Sequence, residues 1–177
     1  MLQFIGIAIF GLIAAVLSLA SRKPKELRVR RSTRINAPAD RIFANIIDFH
    51  RWEAWSPWEK LDPAMKKTHS GPPSGKGAVY EWVGNSKVGQ GRMEITDATA
   101  PSRVAIALHF IKPFEARNTT EFALVPAGSN ATDVTWSMVG PSPFITKVMG
   151  VFMDMDKMIC KDFEKGLSSL KDVAESR

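Results

Sequence analysis

The sequence predicts an α+β domain, a curved antiparallel β-sheet wrapped around one long C-terminal helix, set behind a single N-terminal transmembrane helix. Three observations predict it. Residues 1–21 carry no charge, and Leu2 to Ala20 is almost continuously apolar. From Met65 to Gly140, apolar and polar residues alternate in runs separated by Gly, Pro, Asn and Ser, the pattern of half-buried strands joined by turns. From Phe144 to Val173 the period becomes helical. Ile145, Met149, Phe152, Asp156, Ile159, Phe163, Gly166, Leu170 and Val173 fall four and three apart, which keeps them on one face. Lys147, Asp154, Lys161, Lys165 and Asp172 fall on the other.

A membrane span needs about 20 apolar residues, the length of the N-terminal run. The cluster Arg22, Lys23, Lys25 and Arg28 follows directly. Such a flank is retained on the cytoplasmic side and suits anionic headgroups. The expected organisation is an anchor over 1–21, a basic juxtamembrane linker over 22–25, and a single-pass protein whose domain, 26–176, is cytoplasmic. The alternative is export after signal-peptide cleavage near Ser18-Leu19-Ala20, although no basic residue precedes the apolar run. The formal net charge of +6 lies wholly between Ser21 and Arg34, and the rest of the chain is balanced. No basic domain surface is implied, and no nucleic-acid partner is expected.

The elements follow in order. Glu26–Asn36 alternates Leu27, Val29, Thr33 and Ile35 against Arg28, Arg30, Ser32 and Arg34, a strand with one wet, basic face. Asn36-Ala-Pro-Ala-Asp40 is a turn with Asp40 as N-cap, and Arg41–Phe49 reads as a short helix. Trp52, Trp55 and Trp58 come next, closed by Pro57. Strands are expected over Met65–Ser70, Gly77–Gly84, Lys87–Ala98, Arg103–Ile111, Phe114–Pro126 and Thr132–Gly140. The short links make successive strands antiparallel neighbours, and the C-terminal helix covers their apolar face.

The motifs of common cofactor sites are missing. Gly75-Lys-Gly77 and Gly89-Gln-Gly91 lack the third glycine and following helix of a dinucleotide loop, and there is no P-loop, His-Glu-x-x-His or Gly-x-Ser-x-Gly. His50, His69 and His109 have no ligand spacing. No metal and no cofactor are expected. Cys160, the single cysteine, sits beside the apolar stripe as a core-edge residue. The aromatic and thioether side chains suit a cavity between sheet and helix. The expected lining is Trp52, Trp55, Trp58, Tyr80, Trp82, Phe110, Asn118, Phe122, Trp136, Met149, Phe152 and Asp156. Phe163, Leu167 and Leu170 are expected to pack solid core.

The local text resembles the START-like superfamily of polyketide cyclase/dehydrase and lipid-transport type, with its helix-grip fold. Ile35-Asn-Ala-Pro-Ala-Asp40-Arg-Ile-Phe43 is similar to that family's first strand-to-helix junction. Asp48-x-x-x-Trp52-x-x-Trp55-Ser-Pro-Trp58 resembles its tryptophan segment, and Gly75-x-Gly77-Ala-x-Tyr80-x-Trp82 its third-strand signature. Lys161-Asp-Phe-Glu-Lys-Gly-Leu167 resembles its closing helix. The resemblance spans about residues 26–175 and implies a fold that hosts carriers, cyclases and co-chaperone modules, with no universal catalytic residue.

Three functions follow as expectations. One is a membrane-anchored module binding a hydrophobic small molecule or lipid. Another is a cyclase or dehydratase, for which Asp156 is the best proton-transfer candidate, because a carboxylate on an apolar stripe has a raised pKa when unpaired. Glu81, Glu121 and His109 are weaker candidates. The last is a protein-interaction module whose partner the sequence does not name.

Overall fold

The computed structural model describes residues 2–152 and 155–176, without the side chains of Leu2, Gln3, Ile5, Ala8, Met155 and Asp156. Helix α1 (Leu2–Ser21) leads into strand β1 (Glu26–Ile35), helix α2 (Ala39–Ile46) and two 3₁₀ helices (Phe49–Ala54 and Pro57–Lys60). Strands β2 (Lys66–Ser70), β3 (Val79–Val83), β4 (Gln90–Thr99), β5 (Arg103–Lys112), β6 (Ala116–Pro126) and β7 (Thr132–Pro141) form the meander. Helices α3 (Phe144–Phe152) and α4 (Met155–Glu175) close the chain. The sheet is fully antiparallel in the order β1-β7-β6-β5-β4-β3-β2.

Alternation decides the inner face. Phe122 stands opposite Trp136, Thr120 opposite Met138 and also opposite Ile106 on the other side. Val104, Ile106, Phe122, Leu124, Val134 and Trp136 are all buried. Register shifts in the β4–β5 pair near Ile95 bend the sheet. Helix α4 lies in the concavity along β1 and touches α2 and both 3₁₀ helices. Arg31 Nε donates to Glu164 Oε1 at 2.7 Å, and the Asn36 amide donates to Glu175 Oε1 at 2.6 Å. Arg41 caps the carbonyl of Ser176. These ties put the C-terminal end of α4 beside Ile35 and its N-terminal end beside Glu26. Phe163, Leu167 and Leu170 are buried, as their spacing predicts.

Three expectations are corrected. The stripe from Phe144 to Val173 does not cover the sheet along its whole length, with Met153 and Asp154 outside the description. Only α4 grips the sheet. Helix α3 buries no residue fully and packs on α1, where Lys23 Nζ donates to the Gly150 carbonyl at 2.5 Å. A periodic apolar face records that a surface is covered, not by what, so two faces in phase read as one. Helix α2 begins at Ala39, so Asp40 is in its first turn and not its N-cap. Pro38 occupies the cap and offers no side-chain hydrogen bond, while Asp40 still meets the positive end of the helix dipole. Strand β4 starts at Gln90 rather than Lys87, because Asn85 folds the preceding loop. Its Oδ1 accepts from the Lys87 amide at 2.8 Å and its carbonyl from the Gly89 amide at 2.8 Å, with Gly89 at a φ of 65°.

The expected anchor falls on α1. Among the described residues, no helix is long and apolar enough to cross a membrane. Helix α1 runs 20 residues, but four of its side chains near the start are outside the description. Its described apolar residues, Phe4, Ile7, Phe10, Leu12 and Ile13 among them, stand exposed.

Candidate functional site

The middle of the grip is filled with aromatic rings. Trp136 is stacked between Phe163 of α4, at 4.1 Å between centroids, and Phe122 of β6, at 4.8 Å. Trp55 and Trp58 meet its edge at 5.8 and 5.7 Å. Trp52 packs on Trp55 at 4.7 Å. The polar indole atoms are satisfied within the cluster. Trp52 Nε1 donates to the Ile46 carbonyl, Trp55 Nε1 to the Asn45 carbonyl and Trp136 Nε1 to Thr120 Oγ1, at 3.0, 3.1 and 2.8 Å. Thr120 passes its own proton to the Ser137 carbonyl at 2.8 Å. Gly166 lets α4 sit on this cluster, because a Cβ there would stand 2.7 Å from Trp136 Cζ3.

Burial then falls along the inner face in one direction. On β5, Val104 and Ile106 are fully buried, whereas Leu108 and Phe110 are only half-buried. On α4, Leu170, Leu167, Phe163 and Cys160 are buried and Ile159 is half-buried. On β6 the buried run ends at Asn118, whose amide lies over Gly140. Leu27 of β1 is half-buried at the same level. The grip is therefore closed beside Ile35 and Leu170 and opens beside Leu27, Leu108, Phe110, Asn118 and Ile159. Trp82 extends this apolar lining, its ring edge-on to Phe110 at 6.0 Å and lying over Gly91. Among the expected pocket residues, Trp82, Phe110 and Asn118 gather at this mouth, while Trp52, Trp55, Phe122 and Trp136 sit in the packed centre with Trp58 at its edge. Tyr80 belongs to a separate polar group. Met149 is half-buried on α3. Phe152 is 71% exposed and does not line the interior, because α3 packs on α1. The Asp156 side chain is outside the described residues.

The weaker acid–base candidates all point away from the interior. His109 pairs with Glu115 at 3.1 Å and Glu121 with Arg103 at 2.8 Å, and Glu81 is exposed. Each is one residue out of phase with an inward neighbour, as strand alternation requires. Among the described residues, no cluster of His, Cys, Asp or Glu has metal-binding geometry.

One polar group escaped the reading of the sequence. Glu59, its side chain 7% exposed, accepts from Tyr80 Oη at 2.6 Å and from Lys67 Nζ at 2.7 Å. The signal was a carboxylate directly after Trp58 in a segment that must pack. Burial, then the hydrogen bond to Glu59, raises the Tyr80 pKa above that of a free phenol, and the Glu59 hydrogen bond raises Lys67. Both groups hold their protons to higher pH in the folded state. Their contribution is complete below the unfolded values, about 10, and is lost as pH rises through the folded ones. Tyr80→Phe should lower stability by about 1–3 kcal/mol at neutral pH, because the buried carboxylate loses a donor. It should also flatten the decline above about pH 10, read as urea midpoints against pH. An unchanged alkaline slope would refute the assignment.

Beside this group, His50 and His69 stack at 4.2 Å over a surface pocket of about 220 Å³ that Phe49, Pro72, Pro73 and Val79 also line. A second hollow of about 200 Å³ lies on the outer face around Lys66, Glu81 and Gln90.

A seven-stranded antiparallel sheet gripping a C-terminal helix, with an aromatic core and an open apolar end, defines a helix-grip protein. The chain belongs to the polyketide cyclase/dehydrase and lipid transport family, which matches residues 26–175. Solved structures agree on the fold. Protein CV1439 from Chromobacterium violaceum is 14% identical with a TM-score of 0.60, over 87% of this chain and 100% of its own. The Aha1 dimer from Colwellia psychrerythraea is 16% identical with a TM-score of 0.59, over 84% and 96%. The di-domain aromatase/cyclase BexL is 15% identical with a TM-score of 0.59, and the match spans 91% of this chain but 54% of BexL. A search of curated proteins finds no match.

Proposed function

We propose that this protein is a membrane-tethered carrier or sensor that binds a hydrophobic small molecule or lipid at the open end of the grip. The observation that carries this reading is the directional loss of burial, from Val104 and Leu170 to Leu108, Phe110 and Ile159, on a face that stays mainly apolar. An apolar lining with few polar groups is the usual chemistry of a site for such ligands. Asn118 supplies one polar side chain at that level. The tether is argued from the sequence, where residues 2–20 are uncharged and Arg22, Lys23 and Lys25 follow at once. By that rule the domain is cytoplasmic. The cyclase reading draws support from the family alone, since the described acid–base candidates face outward.

A photoactivatable diazirine fatty acid tests the site on the full chain in vesicles. Label should be recovered on peptides carrying Leu108, Phe110 and Ile159, and Leu108→Lys should reduce it at least about tenfold, the effect of a charge facing an apolar ligand. Label confined to the outer sheet face, or undiminished in the variant, would reject the reading.

A further inference from the structure

The exposed large apolar side chains are not scattered over the domain. The register places the chain segments around Val83, Ile111, Phe114 and Pro141 at one end of the sheet, together with Glu26. Helix α3 and the start of α4 lie at this end, because Ser142 N donates to the Lys25 carbonyl at 2.8 Å and α4 runs from here toward Ile35. Ile111, Phe114, Phe144, Ile145, Phe152 and Met158 are all exposed there. Beyond residue 26, among the described residues, Val125 is the one exposed large apolar side chain at the opposite end. Isolated exposed apolar residues need no explanation, but a concentration at one pole marks an interaction surface.

Two further observations identify what covers it. First, α1 leaves the domain from this same pole and packs on α3, which brings its exposed apolar side chains to the same side of the domain. Second, the charge between them is positive. Arg22, Lys23, Lys25, Lys66, Lys87 and Lys112 surround the pole and are exposed. Of the exposed acids described there, Glu26 is paired with Arg28 at 2.7 Å, Glu115 with His109 and Arg117 at 3.1 and 3.4 Å, and Glu81 shares the outer hollow with Lys66. Apolar side chains ringed by lysine and arginine complement an anionic bilayer, whose headgroups attract the cations while the apolar groups enter the acyl boundary.

The geometry points to this pole as a bilayer-docking face that holds the mouth of the grip against an anionic lipid surface, so that the ligand is a lipid or membrane-dissolved amphiphile passing between bilayer and grip without crossing water. The inference rests on the reading of the mouth as a ligand site. It goes beyond tethering, because it assigns the exposed apolar side chains of the pole and their ring of lysine and arginine to lipid contact.

Orientation is the discriminating measurement. The full chain is reconstituted into vesicles of phosphatidylcholine with and without phosphatidylglycerol. A fluorophore is placed on Phe114→Cys, Phe152→Cys or Val125→Cys, all exposed sites. Cys160 is buried and is spared the label. Nitroxide-bearing lipids should quench the labels at 114 and 152 several-fold more than the label at 125, more strongly with phosphatidylglycerol, and less in Lys25→Glu/Lys112→Glu. Equal quenching at the three positions would overturn the proposal. So would energy transfer between labels on separate copies without lipid quenching, which would assign the pole to a second copy of the chain. The Leu108 labelling experiment scores the ligand site separately. Quenching without labelling leaves the docking face standing and removes the ligand, and labelling without quenching does the reverse.

Discussion

Trp136→Ala should destabilise the domain by about 3–5 kcal/mol, the usual range for an aromatic residue removed from a core. It is the strongest single-site effect expected. The indole is buried, stacked on both faces by Phe122 and Phe163, and touched at its edge by Trp55 and Trp58. Truncation leaves four rings without their common partner, and Thr120 Oγ1 loses the indole donor. The site cannot collapse readily, because its neighbours come from four different segments held apart by the sheet and α4. For a domain of this size the loss corresponds to a fall in Tm of about 6–20 °C. Differential scanning calorimetry of the domain transition reads it directly. A fall of under about 1 kcal/mol would mean that the aromatic cluster is not the mechanical centre of the grip.

Gly166→Val approaches the same cluster from the opposite side. The first added carbon would stand 2.7 Å from Trp136 Cζ3 and 3.2 Å from Pro57 Cδ. Pro57 is rigid and Trp136 is clamped by its stacking partners, so neither has the freedom of a long flexible side chain. Overpacking of this kind costs about 1–3 kcal/mol, occasionally more. Helix propensity opposes the loss only weakly, since valine gains a few tenths of a kcal/mol over glycine in a helix. The expected net effect is a loss of about 2–3 kcal/mol, measured by urea denaturation. Gly166→Val in the Trp136→Ala background should recover much of that loss, because the carbon then enters vacated space. Strict additivity of the two substitutions would rule out the contact as its cause.

Much of the fold was legible because it depends on local periods. Alternation in Val104–Phe110, Phe122–Leu124 and Val134–Met138 specifies which side chains turn inward, whatever lies opposite. The short turns leave antiparallel pairing as the only economical connection. The closing stripe from Ile159 to Leu170 is legible for the same reason, and so is the solid packing of Phe163, Leu167 and Leu170. The candidate site was legible only in part. Trp82, Phe110 and Asn118 carry inward phase and stand at the mouth, but Phe122 and Trp136 carry the same phase and pack the centre instead, with Trp52 and Trp55 from the 3₁₀ segment. Phase gives the direction of a side chain, and depth along the grip depends on where the covering helix ends. Glu59 was passed over because its partners, Tyr80 and Lys67, arrive from strands 21 and 8 residues later.

The sequence by itself determined the class of fold, the inward set of each strand and the apolar, uncharged N-terminal segment with its basic flank, since each is a property of neighbouring residues and their spacing. Tertiary structure decided that the stripe beginning at Phe144 serves two partners, α1 and the sheet. It also decided that the aromatic residues fill rather than line the centre, and that the mouth, the exposed apolar side chains and the start of the domain share one pole. Those outcomes depend on distances between segments remote in the chain, and they are settled only when the sheet curves and α4 is laid into it in one direction.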